Sequence, residues 1–158
     1  MLMDDARPAS PRGESAPLAL WGIALLALAP FPVSAALYCY GSPELAGPGL
    51  TVLVTWTAMV VAFLGGVRWG LESARPTPRL PRLAISASSS FLACAVLLLQ
   101  GEIYDAWMLG LFILMFLTQW LIDHQTPETP ARYPKLSTAL TAGACISLGL
   151  ALEKTISA

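Results

Sequence analysis

The chain has 158 residues, 56% of them hydrophobic and only 12% charged, with a mean hydropathy of +0.64 and a formal net charge of −1. A soluble domain carries about a quarter charged residues, so this chain has too little polar surface to cover a water-facing globule, and lipid is the medium that suits it. Nine basic residues stand against ten acidic ones, which excludes the basic field of a nucleic-acid binder.

In chain order, residues 1–17 come first; their Pro/Ser-rich part, Pro8 to Pro17, reads as a disordered tail. Five apolar runs follow, at about 18–40, 50–71, 83–99, 103–122 and 136–152, and residues 153–158 close the chain. Each run approaches the roughly 20 residues that a helix needs to cross a hydrocarbon core. Gly41-Ser42-Pro43-Glu44 and Gly47-Pro48-Gly49 separate the first two, and the Arg/Pro-rich residues 75–82 separate the next pair. Gly101-Glu102 and then Asp123 to Lys135, with three prolines, make the remaining breaks. The runs are continuous and rich in Leu and Ala, without the alternation of a membrane barrel. The predicted fold is therefore all-α: one integral membrane bundle of five transmembrane helices over residues 18–152.

Run one allows a second reading. Arg7 and Arg12, the stretch Leu18–Ala29, and then Val33-Ser34-Ala35 have the outline of a secretory signal peptide with a cleavage site. Asp4, Asp5 and Glu14 are foreign to such a leader, and the apolar stretch runs on to Tyr40, which favours an uncut span. Pro32 removes a backbone donor near the middle of this span, next to Pro30, and predicts a kink there.

Orientation follows from the cations. With five spans, the N-terminal tail, the second connection and the fourth share one side, which holds Arg7, Arg12, Arg68, Arg75, Arg79, Arg82, Arg132 and Lys135. The other side has Lys154, together with Glu44, Glu102, Asp105 and Glu153. Because Lys and Arg in short loops stay in the cytoplasm, the N-terminus is expected inside and the C-terminus outside. The tail lacks the Arg-rich, acid-poor character of a transit peptide. A bacterial inner membrane is the expected location, with the mitochondrial inner membrane as the alternative.

Small residues let membrane helices approach closely. Span two carries Ala62, Gly66 and Gly70 at four-residue spacing, beside Gly65, and span five carries Ala139, Gly143, Ser147 and Ala151. Span three offers Ser86, Ser90 and Cys94, whereas span four, around Leu111 to Leu117, is bulky. On this criterion spans two, three and five form the packed centre, span four lies outermost on lipid, and Gly66→Leu should destabilise far more than Met115→Ala.

Polar residues gather at the cytoplasmic ends. Arg68 and Trp69 fall in the last turns of span two with Glu72 four residues beyond Arg68; Gln119, Trp120, Asp123 and His124 end span four; Tyr133 and Lys135 open span five. Snorkelling arginines and interfacial aromatics account for such a set. The sharper reading is an anion or headgroup site, or a docking face, centred on Arg68, because ionisable residues inside a span are functional candidates. A cross-helix pair between Arg68 and Asp123 is geometrically open. Catalytic signatures such as H-E-x-x-H, G-x-S-x-G and a Walker loop are missing. The lone His124 cannot anchor a metal, and Cys39, Cys94 and Cys145 have no ligand spacing. Ser86, Ser88, Ser89 and Ser90 have no activating His or Lys in their span and are expected to bond to backbone carbonyls.

The segment Phe63-Leu64-Gly65-Gly66-Val67-Arg68-Trp69-Gly70-Leu71 resembles the FLGGxxWGL signature of a domain-of-unknown-function family of small membrane proteins, which includes the eukaryotic transmembrane protein 69. Pro30-Phe31 looks like that family's P-F step, and Pro130 to Thr141 is similar to its loop-to-last-helix pattern. The resemblance covers about Leu18 to Leu152 and implies a five-helix layout without implying an activity. The expected function is thus a structural or accessory membrane protein without enzymatic activity or cofactor, in contact with the bilayer and with a membrane-protein partner or a second copy. A small transporter or permeation subunit for a small or anionic solute is the alternative. The residues expected to carry function or packing are Pro30, Gly65, Gly66, Arg68, Trp69, Gly70, Asp123 and Tyr133.

Overall fold

The computed structural model describes the backbone of residues 15–125 and 133–157 and the side chains of residues 21–125 and 137–157. Residues 1–14 of the expected N-terminal tail lie outside that range, as does the side chain of Tyr133. The described residues form six helices: α1 (Ser15–Leu28), α2 (Pro30–Tyr40), α3 (Pro43–Ser73), α4 (Leu80–Leu98), α5 (Asp105–Gln125) and α6 (Tyr133–Ser157). The architecture is all-helical; among the described residues the β content is one isolated bridge, Gln100 to Ile103. Among the described residues, five stretches are long and apolar enough to cross a membrane: Trp21–Tyr40, Pro43–Ser73, Leu80–Leu98, Asp105–Gln125 and Ser137–Ser157.

The prolines set several boundaries. Pro30 and Pro43 each start a helix, where the missing N–H would have had no partner in any case. The interruption of the first span falls at Ala29, just before Pro30 rather than at Pro32, and it is slight: Ala29 keeps helical angles of φ −54° and ψ −40°. Backbone carbonyls at a proline break inside hydrocarbon need other donors. The Trp56 indole supplies one, donating from Nε1 to the Ala27 carbonyl at 2.8 Å.

α3 starts at Pro43, so the Gly47-Pro48-Gly49 segment expected as a loop is helical. Pro48 stands in the second turn, where its missing N–H frees only the Glu44 carbonyl in the first. Gly49 allows the close contact with α2, since a Cβ there would fall 2.8 Å from the Tyr38 nitrogen. With 31 residues, α3 is about 46 Å long at 1.5 Å per residue, well beyond a hydrocarbon core of roughly 30 Å.

α3 is the axis of the bundle. It packs along α2 and α4, α5 packs along α6, and α2 closes against α6, while α4 barely meets α5. The core joins Phe31 of α2, Leu53, Val54 and Val61 of α3, Phe112 and Phe116 of α5, and Leu148 and Ala151 of α6. Phe31 and Phe116 meet edge to face with centroids 6.0 Å apart.

Two packing expectations are corrected. α5, the fourth span, is no outer helix: Met108, Leu109, Phe112, Met115 and Phe116 all face the core. The outer helix is α4, of which only Ser86, Ala93 and Val96 are buried. Bulky side chains fill space between helices as well as small ones reduce it, so the lack of a small face says nothing against burial. The Ala62–Gly66–Gly70 stripe is likewise not the packing face, because a Cβ on Gly66 or Gly70 would meet nothing within 4 Å. Gly65 is the close contact: its Cβ would sit 2.8 Å from the Ser86 carbonyl oxygen and 2.5 Å from Ser89 Oγ. Gly143 of span five does pack, against the Leu28 side chain.

Candidate functional site

The α5 residues Met108, Phe112, Met115, Phe116, Gln119 and Asp123 recur at three- and four-residue spacing, and all are buried. One face of this helix is therefore apolar for most of its length and polar in its last two turns. That polar end meets α3 at Arg68 and α6 at Ser137.

Arg68 Nε donates to Asp123 Oδ1 at 2.7 Å, and the pair is nearly dry, with side-chain exposures of 11% and 2%. Arg68 Nη2 donates to the Gln119 main-chain carbonyl. The other carboxylate oxygen, Oδ2, accepts from the Ser137 hydroxyl at 2.8 Å. Gln119 Nε2 donates across to the Val61 carbonyl of α3 at 3.2 Å. Three helices are thereby held at one end of the bundle by bonds that converge on one carboxylate and one guanidinium. Buried charges persist only when paired and hydrogen-bonded, and each partner here meets that condition.

A second polar cluster lies one turn further along α3. Glu72 is buried; its Oε1 accepts from the Arg79 backbone N–H at 2.9 Å, and its Oε2 faces Arg75 Nε at 3.1 Å and Arg82 Nη1 at 3.7 Å. Glu72 thus pins residues 74–79 and the start of α4 rather than pairing with Arg68, its neighbour at helical spacing. On the outside of the same end, Trp120 Nε1 donates to Thr138 Oγ1 at 3.1 Å, and the His124 ring lies 4.4 Å from the Trp120 ring.

The expected site residues separate into groups. Arg68 and Asp123 form the pair, and Gly65 sits one turn before Arg68 at the α3–α4 contact. Trp69 is exposed, with its carbonyl accepting from Ser73 Oγ at 2.7 Å. Gly66 and Gly70 border open space, and Pro30 marks the α1–α2 break remote from the pair in sequence. Gln119, which sequence reasoning set in the polar group but not among the expected site residues, and Ser137, which it did not set there, are both members. The signal for Gln119 was its i,i+4 spacing to Asp123 inside an apolar span, since two polar residues on one face point that face inward. Ser137 carried no comparable signal. The α4 serines make the carbonyl bonds expected of them: Ser86 to Arg82, Ser88 to Ile85, Ser89 to Ser86, and Ser90 across to Ala62 of α3.

A family model described as a protein of unknown function, DUF3429, matches residues 16–153. No curated protein and no solved structure matched the chain.

Proposed function

We propose that this chain, which belongs to the DUF3429 family, is a structural or accessory membrane protein that packs with a partner membrane protein or with a second copy of itself. One observation carries the reading: the intramembrane arginine is engaged inside the bundle, its charge balanced by Asp123 and its Nη2 bonded to the Gln119 carbonyl. Charges on a permeation path face a water-filled cavity, and Arg68 is only 11% exposed. The exposed Ile85, Phe91, Leu92 and Leu98 of α4 make an apolar outer face of the kind that lipid or a neighbouring membrane protein covers.

The alternative is a small transporter or permeation subunit for a small or anionic solute, working through the α1–α2 break and the Arg68 surface. The Trp56 bond to Ala27 across that break favours a fixed bend over a gate. A role without catalysis is supported by the α4 serine hydroxyls, which are already engaged with carbonyls. The N-terminus belongs in the cytoplasm and the C-terminus outside, in a bacterial inner membrane or, as the alternative, a mitochondrial one. Arg75 and Arg79 between α3 and α4, with Arg82 in the first turn of α4, support that orientation. Kinship with transmembrane protein 69 rests on the Phe63–Leu71 motif and belongs to the same proposal.

Purification in mild detergent tests the role. A stoichiometric membrane-protein partner or a defined oligomer is expected, whereas solute flux into liposomes that hold this protein alone would overturn it. Reporters fused to each terminus test the orientation.

A further inference from the structure

Where α4 and α5 diverge, a groove of about 640 Å³ opens between them, within the roughly 300–1,000 Å³ of ligand pockets. Its walls are apolar, built from Phe91, Leu92 and Ala95 of α4 and Leu111 and Leu114 of α5, and both Arg68 and Gln119 border it. Gln119 is 3% exposed, and its Nε2 is engaged by the Val61 carbonyl. Among the described residues, its Oε1 is the buried side-chain polar atom without a hydrogen-bond partner. Buried polar atoms nearly always have partners, and hydrocarbon supplies none.

Arg68 complements that acceptor. A guanidinium carries five N–H donors, and Asp123 and the Gln119 carbonyl take bonds from Nε and Nη2. At the polar end of the groove, Gln119 and Arg68 therefore bring together an unpartnered acceptor beneath the surface and a guanidinium that Asp123 already balances. A carboxylate head would add an unbalanced negative charge and brings no hydrogen for Oε1. A neutral hydroxyl satisfies both sides, donating to Gln119 Oε1 and accepting from Arg68.

We propose that the α4–α5 groove binds a monoacylglycerol, a single-chain lipid with a neutral hydroxyl head, its chain along Phe91, Leu92 and Leu111 and its head at Gln119 and Arg68. The site needs the membrane placement of the helices but not the accessory role, so either can fail without the other.

The test uses the full chain in phosphatidylcholine nanodiscs with a monoacylglycerol that carries a photoactivatable group on its chain, and the labelled peptides are read by mass spectrometry. Labelling should concentrate on α4 and α5 and be competed by unlabelled monoacylglycerol at least tenfold better than by the fatty acid of equal chain length. Gln119→Leu should weaken competition by about tenfold, the scale of one buried hydrogen bond. Ala95→Phe, on an exposed helix face, fills the groove without touching the polar cluster and should abolish the labelling. Cys94→Phe, exposed beside the groove, should leave it unchanged. Labelling spread evenly over all five spans and indifferent to Ala95→Phe overturns the site; equal competition by the fatty acid overturns the neutral head.

Discussion

Removing Asp123 tests whether the polar end of the bundle is a coupled unit. In Asp123→Leu the Arg68 guanidinium loses its carboxylate and keeps the bond to the Gln119 carbonyl, and the Ser137 hydroxyl loses its acceptor. Breaking one side of a buried pair costs about 3–5 kcal/mol in a soluble protein. Here the loss should be smaller, because Arg68 is five residues from the end of α3 and Asp123 two from the end of α5. An arginine that close to the interface can snorkel toward the headgroups, which leaves roughly 2–3 kcal/mol. Replacing both charges, Arg68→Met with Asp123→Leu, removes the stranded cation and should recover most of that cost, since apolar substitutes for a buried pair are often neutral. The measurement is reversible unfolding in mixed detergent micelles for the wild type, both single variants and the double variant. A coupling of at least about 1.5 kcal/mol is expected. If the double variant is as unstable as the sum of the single ones, the pair is not the device that joins α3 to α5.

The two adjacent glycines of α3 should behave oppositely under the same assay. Gly65→Leu forces α3 away from the Ser86 carbonyl and should cost about 1–3 kcal/mol or more, whereas Gly66→Leu points into open space and should stay within about 0.5 kcal/mol. On α5, Phe116→Ala empties a fully buried site and should cost about 3–5 kcal/mol, while the same change at exposed Leu114 should cost under about 0.5 kcal/mol; equal losses would remove α5 from the core. Trp56→Phe deletes the donor to Ala27 and should cost about 1 kcal/mol, with faster amide exchange around residues 27–31 as its local signature.

The legible parts of this protein were those that depend on one segment at a time. Each apolar run is long enough to satisfy its own backbone as a helix in lipid, so the five spans could be located without knowing their neighbours. The Arg68–Asp123 pair was open to inference because both residues lie near helix ends on one side of the membrane, where antiparallel packing gathers them. Span two was placed centrally and is the axis, but the third and fourth spans were misplaced, because the criterion used was small residues, while the polar spacing of Gln119 and Asp123 held the better signal. The Gly65 contact was hidden by its neighbour: Gly65 and Gly66 differ by 100° around the helix, and the four-residue stripe favoured the wrong one.

Sequence alone determined that this chain is all-helical with five stretches long and apolar enough to cross a membrane, because hydrophobic length acts locally along the chain. Only the tertiary structure decided that α5 is central and α4 peripheral, that Gly65 rather than Gly66 touches its neighbour, and that Glu72 pins the following loop instead of Arg68. Those outcomes depend on the rotation of each helix about its own axis, and that angle is set by the side chains of the helices opposite.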